Sequence, residues 1–213
     1  MEIPKFLIER YQFWKKNTFE DYKDIYQQAS KTPQKPIAMI ITCCDSRILD
    51  STIFGGSVGD YFIHRSIANI VPSKNDKDQN IQTLSAIEYA LKILKVHNLI
   101  ILGHSNCGGV KHALDKCISS NNSPDLDYVN KWTDLIVGNY KKIPNNIDIN
   151  EQQIFLEKEN IKSSIKNIIK FLTLRKEFEI EKLSIHGLWF DINRGSLLQL
   201  DKIDGDFVKI VHE

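Results

Sequence analysis

Pro36-Ile37-Ala38-Met39-Ile40-Ile41-Thr42, followed at once by Cys43-Cys44-Asp45-Ser46-Arg47, is the stretch on which the fold turns. Ile37 to Thr42 is a continuous apolar run of strand length. A strand with one wet face alternates polar and apolar residues, whereas a strand covered on both faces, as in a parallel sheet, does not. Pro33 and Pro36 just ahead end any helix and start extended chain. The run therefore predicts an inner strand of a parallel sheet. Its tail becomes a loop at the strand's carboxyl end, where open α/β sheets collect their sites.

The same pattern recurs further along. Asn98 to Leu102 is a second buried run, and Gly103-His104-Ser105-Asn106-Cys107-Gly108-Gly109 follows it directly. Tyr61 to His64, entered through Gly55, Gly56 and Gly59, is a further candidate strand, and Leu183 to Phe190 another. Arg194-Gly195 then turns the chain back into Leu197–Leu200. Helical spacing fills the gaps. Leu84, Ile87, Leu91 and Leu94 share a face of residues 81–95, a helix surrounds Trp132 within 125–137, and residues 138–150 read as an exposed connection. Ile154, Ile161, Ile165, Ile168 and Leu172 stripe the longest helix, over 151–174. Phe6, Tyr11, Phe19, Tyr22, Ile25 and Tyr26 predict two helices within residues 4–30, broken at Asn17-Thr18. The expected class is α/β: a mainly parallel central sheet flanked by helices, as one domain over 1–213 with residues 1–30 as a helical arm.

Composition narrows the function. With 213 residues and 42% hydrophobic content the chain can bury a core without staples. The 28 basic and 27 acidic side chains nearly cancel, which excludes nucleic acid as a dominant partner. No run approaches the roughly 18 apolar residues of a membrane span. Glu9-Arg10 interrupts the amino-terminal segment before a signal-peptide core can form, so a cytoplasmic protein is expected. In that compartment Cys43, Cys44, Cys107 and Cys117 are thiols, nucleophiles or metal ligands rather than a disulfide framework.

Two loops carrying Cys and His at one edge of a sheet point to zinc, which takes thiolate sulfur and imidazole nitrogen tetrahedrally. His104 and Cys107 stand three apart, and one cysteine of the first loop completes a Cys₂His set. Three protein ligands leave a fourth position, the mark of a catalytic site. Asp45 and Arg47 can pair with each other, or Asp45 can turn toward the metal. A lone H-x-x-C is common by chance, and a lone cysteine at a strand end is usually a small core residue. It is the coincidence of both motifs at strand ends that carries weight. His64, His97, His112, His186 and His212 read as structural or surface residues, with a place near the site left open for His64 alone, and Cys117 reads as core. The glycines of 55–59 lack the Lys-Ser/Thr ending of a phosphate loop and read as a turn.

Cys43-x-Asp45-x-Arg47 together with His104-x-x-Cys107 resembles the signature of the β-class carbonic anhydrases. Gly59-Asp60 with Phe62, Arg65, Ala68 and Asn69 is similar to a further stretch of that family, as are Ser85–Ala90, His104–Gly109 and His186–Asp191 with Gly195. The resemblance makes Cys43, His104 and Cys107 the ligands of one zinc ion. It leaves Cys44 where the family often has serine, a departure that places a second thiol beside the metal. It implies reversible hydration of CO₂ to bicarbonate and a proton by zinc-bound hydroxide, with Asp45 and Arg47 as the catalytic pair. It also implies Gln34, Phe62, Tyr89 and Gly108 on the substrate side. Ile40 and Phe190 stand where some bacterial members carry the Trp and Tyr of a second, inhibitory bicarbonate site, so that site is expected to be missing. A resting form in which the aspartate leaves the arginine for the metal is implied too. So is a homodimer or tetramer, with amino-terminal helices wrapped over a partner. Alternatives are a CS₂ or COS hydrolase on the same scaffold, or a non-catalytic zinc or redox-sensing protein.

Overall fold

The computed structural model describes residues 2–73, 81–118, 126–175, 178 and 180–210. Its strands are β1 (Ala38–Cys43), β2 (Tyr61–Ser66), β3 (Asn98–His104), β4 (Ser184–Asp191), β5 (Ser196–Leu200) and β6 (Phe207–Lys209). They form one sheet in the order β2-β1-β3-β4-β5-β6. The first four run parallel, and β5 and β6 fold back antiparallel, as the mainly parallel class requires. The helices are α1 (Lys5–Asn17), α2 (Phe19–Ala29), α3 (Asp50–Ile53), α4 (Ile81–Lys92), α5 (Gly108–Ile118), α6 (Asp127–Val137) and α7 (Ile149–Thr173).

All six residues of β1 are buried, because the strand lies between β2 and β3 and is covered on both faces. Alternation survives as a choice of core. Met39 and Ile41 join Ile87, Leu99, Ile101 and Ile161 under α4 and α7, while Ile40 joins Ile48, Leu102 and Leu188 on the other face. Each such side chain contributes roughly 1.5–3 kcal/mol on leaving water. A capping box starts α7: the Asp148 carboxylate accepts from Asn150 N and Glu151 N, and the Glu151 carboxylate accepts from Asp148 N. The helix then crosses β3 so closely that a Cβ on Gly103 would lie 2.7 Å from Ile161 Cδ1.

Several expectations need correction. β3 runs two residues beyond Leu102, paired through His104 with Phe190, so His104 ends a strand rather than sitting in a loop. α4 stops at Lys92, and Lys95 takes a left-handed φ of +57°. Residues 138–150 are not simply an exposed connection: Gly138–Lys142 is a 3₁₀ turn with Asn139 buried, and Tyr140 and Ile143 pack beneath α5. Cys117 is half-buried rather than core, since Leu114 takes the inward position of α5. Ile154 is exposed, and a buried glutamate, Glu157, stands in the stripe instead. Asp125, the first residue of the expected 125–137 helix, lies outside the described residues.

The amino-terminal arm forms as expected, with its break at Thr18. Trp14, Phe19 and Tyr26 gather between its two helices at 5.4–5.9 Å. Neither helix buries a residue, and Phe6, Tyr11 and Phe13 are more than half exposed.

His64, on β2, is buried and shares a 3.1 Å hydrogen bond with Thr83 Oγ1. Burial holds its pKa below the ordinary 6.5. The unfolded chain therefore takes up the proton first, so this part of the stability is complete above pH 6.5 and is lost as pH falls below it. His64→Gln is expected to reduce the stability lost on acidification from neutral pH through the histidine range, read from urea midpoints on either side of it.

Candidate metal centre

β1 and β3 are neighbours and parallel, so their carboxyl ends coincide, and Cys43 and His104 are the last residues of those strands. Cys107 follows after Ser105 and Asn106, with Asn106 at φ +56°, and α5 starts immediately behind it. A Cβ on Gly109 would sit 2.6 Å from Ile67 Cγ2, so this glycine lets the start of α5 close against the chain after β2.

The ligand atoms of Cys43, His104 and Cys107 all lie within 4.8 Å of one another, and all three residues are buried. The two sulfurs are 3.9 Å apart. Two thiolates about 2.3 Å from one tetrahedral zinc would stand about 3.8 Å apart. His104 Nδ1 donates to Ser105 O at 2.9 Å, which fixes the tautomer and leaves a lone pair on Nε2. That Nε2 is buried and has no hydrogen-bond partner among the described residues. An orphaned imidazole nitrogen facing two sulfurs fits a thiolate-preferring divalent cation such as zinc.

The two thiols lie within hydrogen-bond reach of each other, and their acidities are pushed apart. A hydrogen bond from the Cys107 thiol, with smaller help from His104 and the backbone, lowers Cys43 to about 4 against the opposing effect of burial. The same bond, then burial, raises Cys107. Burial alone would lower His104, but Cys43, the Ser105 carbonyl and Asp45 more than offset it and the net shift is upward. A cation held there by Cys43, His104 and Cys107 would require both sulfurs as thiolates, so its binding would release any thiol proton.

Asp45 stands beside this cluster, with Oδ2 3.9 Å from His104 Nε2. Arg47 clamps it in a fork: Nε donates to Oδ1 at 2.9 Å, Nη2 to Oδ2 at 2.7 Å, and the backbone N–H to Oδ1 at 3.0 Å. These bonds hold the carboxyl far below the usual carboxylate range. Arg47 Nη2 also donates to Asn106 O at 2.9 Å, so one guanidinium stitches the two loops together. Arg65 supports the first loop from β2, through Asp50 Oδ1 at 2.6 Å and the carbonyls of Asp45 and Ile48.

Further partners come from α7 and from the chain after β2. Ala68, in left-handed conformation at φ 58°, donates its N–H to Cys43 Sγ at 3.3 Å, and Asn160 Nδ2 donates to Ala68 O. Glu157, 1% exposed, accepts from Cys107 N at 2.9 Å. Burial raises its carboxyl against the pull of that bond and those of Trp189 and Gln153. The sequence reading missed Asn160 and Glu157, and named Ala68 only within the resembling stretch, with no role toward Cys43. Glu157 was detectable as an acid at helical spacing between Ile154 and Ile161 on an apolar stripe.

The structure brings together Cys43, His104, Cys107, Asp45 and Arg47, with Gly108 directly behind Cys107. Cys44 is exposed and outside the cluster. Gln34, Phe62 and Tyr89 are elsewhere in the same chain. Gln34 is exposed ahead of the amino end of β1, about 16 Å of strand away from Cys43. Phe62 pairs with Met39, four rungs before Cys43, and stacks on Tyr89 of α4 at 5.8 Å. His64 likewise belongs to the β2–α4 packing rather than the cluster.

The family model described as carbonic anhydrase matches residues 38–197. Beta carbonic anhydrase 3 of Arabidopsis thaliana is 30% identical over 194 residues, spanning 88% of this chain and 74% of its own. The solved β-carbonic anhydrase CcaA superposes with a TM-score of 0.82 at 28% identity, covering 98% of this chain and 92% of that one. A tetrameric β-carbonic anhydrase of the filamentous ascomycete Sordaria macrospora gives 0.77 at 28% identity, covering 95% and 97%. The matched span holds β1 through the start of β5 and every residue of the cluster, and on these grounds the chain belongs to the β-class carbonic anhydrases.

Proposed function

We propose that this chain performs CO₂ + H₂O ⇌ HCO₃⁻ + H⁺ at one zinc ion held by Cys43, His104 and Cys107. The carrying observation is the buried, unpartnered His104 Nε2 beside two sulfurs, with a clamped carboxylate 3.9 Å away. Zinc, when bound, supplies a water acidic enough to be deprotonated near neutral pH. Asp45, kept ionised by Arg47, accepts the hydrogen bond of the attacking water and aims its lone pair at carbon. Arg47 keeps that carboxylate off the metal, and Gly108 leaves room beside the ligand loop.

Gln34, Phe62 and Tyr89 serve the site of a second copy in this reading. Three observations support it. Those residues lie away from their own chain's cluster, β2 is an edge strand among the described residues with Ile63 exposed next to Phe62, and neither helix of the amino-terminal arm has a fully buried residue. A homodimer, or a tetramer such as the Sordaria relative forms, covers these surfaces. Each subunit is one domain over 1–213 with the arm at 1–30. Four free cysteines, two of them ligands, suit the reducing cytoplasm. Ile40 and Phe190 pack in one apolar cluster with Ile48, and Arg65 is engaged by Asp50 and two carbonyls. That packing supports a site without a second bicarbonate position.

The test is stopped-flow CO₂ hydration between about pH 6.5 and 9 on protein with its zinc quantified. A rate that rises with pH at one zinc per chain is expected. Full zinc with no hydration, but with hydrolysis of CS₂ or COS, would replace this reading with the other hydrolase.

A further inference from the structure

We propose that Glu157 is a positioning residue for the zinc site, setting through the Cys107 backbone the direction in which the second loop presents its sulfur. The inference rests on the reading of Cys107 as a ligand. Glu157 lies on α7, far from the loop in sequence, and is 1% exposed. Three neutral N–H donors converge on its two oxygens. Cys107 N and Gln153 Nε2 reach Oε1 at 2.9 and 3.1 Å, and Trp189 Nε1 reaches Oε2 at 3.1 Å. Gln153, one turn earlier, also donates to Cys107 O at 3.4 Å. Both backbone polar groups of Cys107 are therefore contacted from one helix, and that helix is anchored across β3 and β4 by Ile161 and Ile165.

A carboxylate is the side chain this geometry demands. It accepts on both oxygens, whereas an amide of the same size accepts on one and donates from the other. Glu157→Gln must set an NH₂ group against Trp189 Nε1–H or against the Cys107 and Gln153 donors, with no volume lost. An apolar core residue would be indifferent to such a swap. A carboxylate in so buried a place, with three neutral N–H donors on it among the described residues, is explained by the loop it orients.

The test uses full-length protein loaded with zinc. Glu157→Gln is expected to keep its far-ultraviolet circular dichroism, to release zinc to a chelator about tenfold faster, and to lose about 10–100-fold in kcat/KM. In cobalt-loaded protein its thiolate-to-metal charge-transfer band is expected to shift. Trp189→Phe removes the donor that opposes the amide, so the Glu157→Gln/Trp189→Phe double variant is expected to recover toward the Trp189→Phe single variant. Gln153→Leu, at a half-buried position, tests the same chain if Glu157→Gln does not fold, with about tenfold faster zinc release expected. Wild-type zinc release and an unshifted cobalt band in Glu157→Gln would overturn the proposal, as would a double variant no better than Glu157→Gln. If Glu157→Gln does not fold, wild-type release in Gln153→Leu would overturn it. Wild-type protein that binds no zinc would instead overturn the ligand assignment, which separates the two failures.

Discussion

His104→Ala is expected to give a folded chain that retains almost no zinc and hydrates CO₂ about a thousandfold more slowly. The side chain is buried and its Nδ1 bond to Ser105 O is a local one, so the structural loss is a small cavity at the end of β3. The chemical loss is larger, because of the three clustered donors only two sulfurs 3.9 Å apart remain. Cys43→Ser and Cys107→Ser are expected to behave alike, each leaving one sulfur and one nitrogen. Cys44→Ser is expected to keep zinc and most activity, because Cys44 is exposed and outside the cluster. Zinc content by atomic absorption, measured beside the hydration rate, checks the series. Loss of metal in Cys44→Ser with retention in Cys43→Ser would reverse the assignment of the adjacent pair.

Arg47→Ala is expected to separate zinc from activity. Removing the fork leaves Asp45 with the Arg47 backbone N–H as its remaining described donor, while Oδ2 already stands 3.9 Å from His104 Nε2. A freed carboxylate that close to a divalent cation moves onto it and takes the position the water needs. Full zinc with about a hundredfold loss of hydration is the expected result. Thermal stability should change little, since the Arg47 side chain is half exposed and such ion pairs contribute at most about 1 kcal/mol. Arg47→Lys keeps the charge without the two-pronged geometry and should fall between. The pH profile adds a check. Asp45 is held far below the usual carboxylate range by Arg47, so it stays ionised across the assay and the rise in rate belongs to the attacking water. Wild-type activity in Arg47→Ala would remove Arg47 from the mechanism.

How much could be read from the chain alone varies from element to element. Ile37 to Thr42 declared its strand because six buried positions need apolar residues on both faces, and its ends shifted by only one residue. β6 and α3 gave no signal, being three and four residues long and held by neighbours rather than by their own periodicity. His104 reads as a loop residue in the sequence because strand length depends on the partner, and β4 continues pairing through Phe190. The ligand trio was legible because metal chemistry restricts residue types and strand ends restrict location. Its supports were not. Glu157, Asn160 and Ala68 act through backbone groups of distant segments, and no residue type is reserved for that task.

By itself the sequence determined the class of sheet, the two loops at its carboxyl edge, and a donor set of sulfur and imidazole suited to zinc. These follow from local hydrophobic pattern and side-chain chemistry, which need no knowledge of the partner segments. Only the tertiary structure decided that Arg47 ties Asp45 to Asn106 across the loops, that α7 grips the Cys107 peptide, and that Gln34, Phe62 and Tyr89 lie away from their own chain's cluster. The physical reason is that hydrogen bonds between remote segments are set by how strands register and helices pack, and many sequences satisfy the same contact.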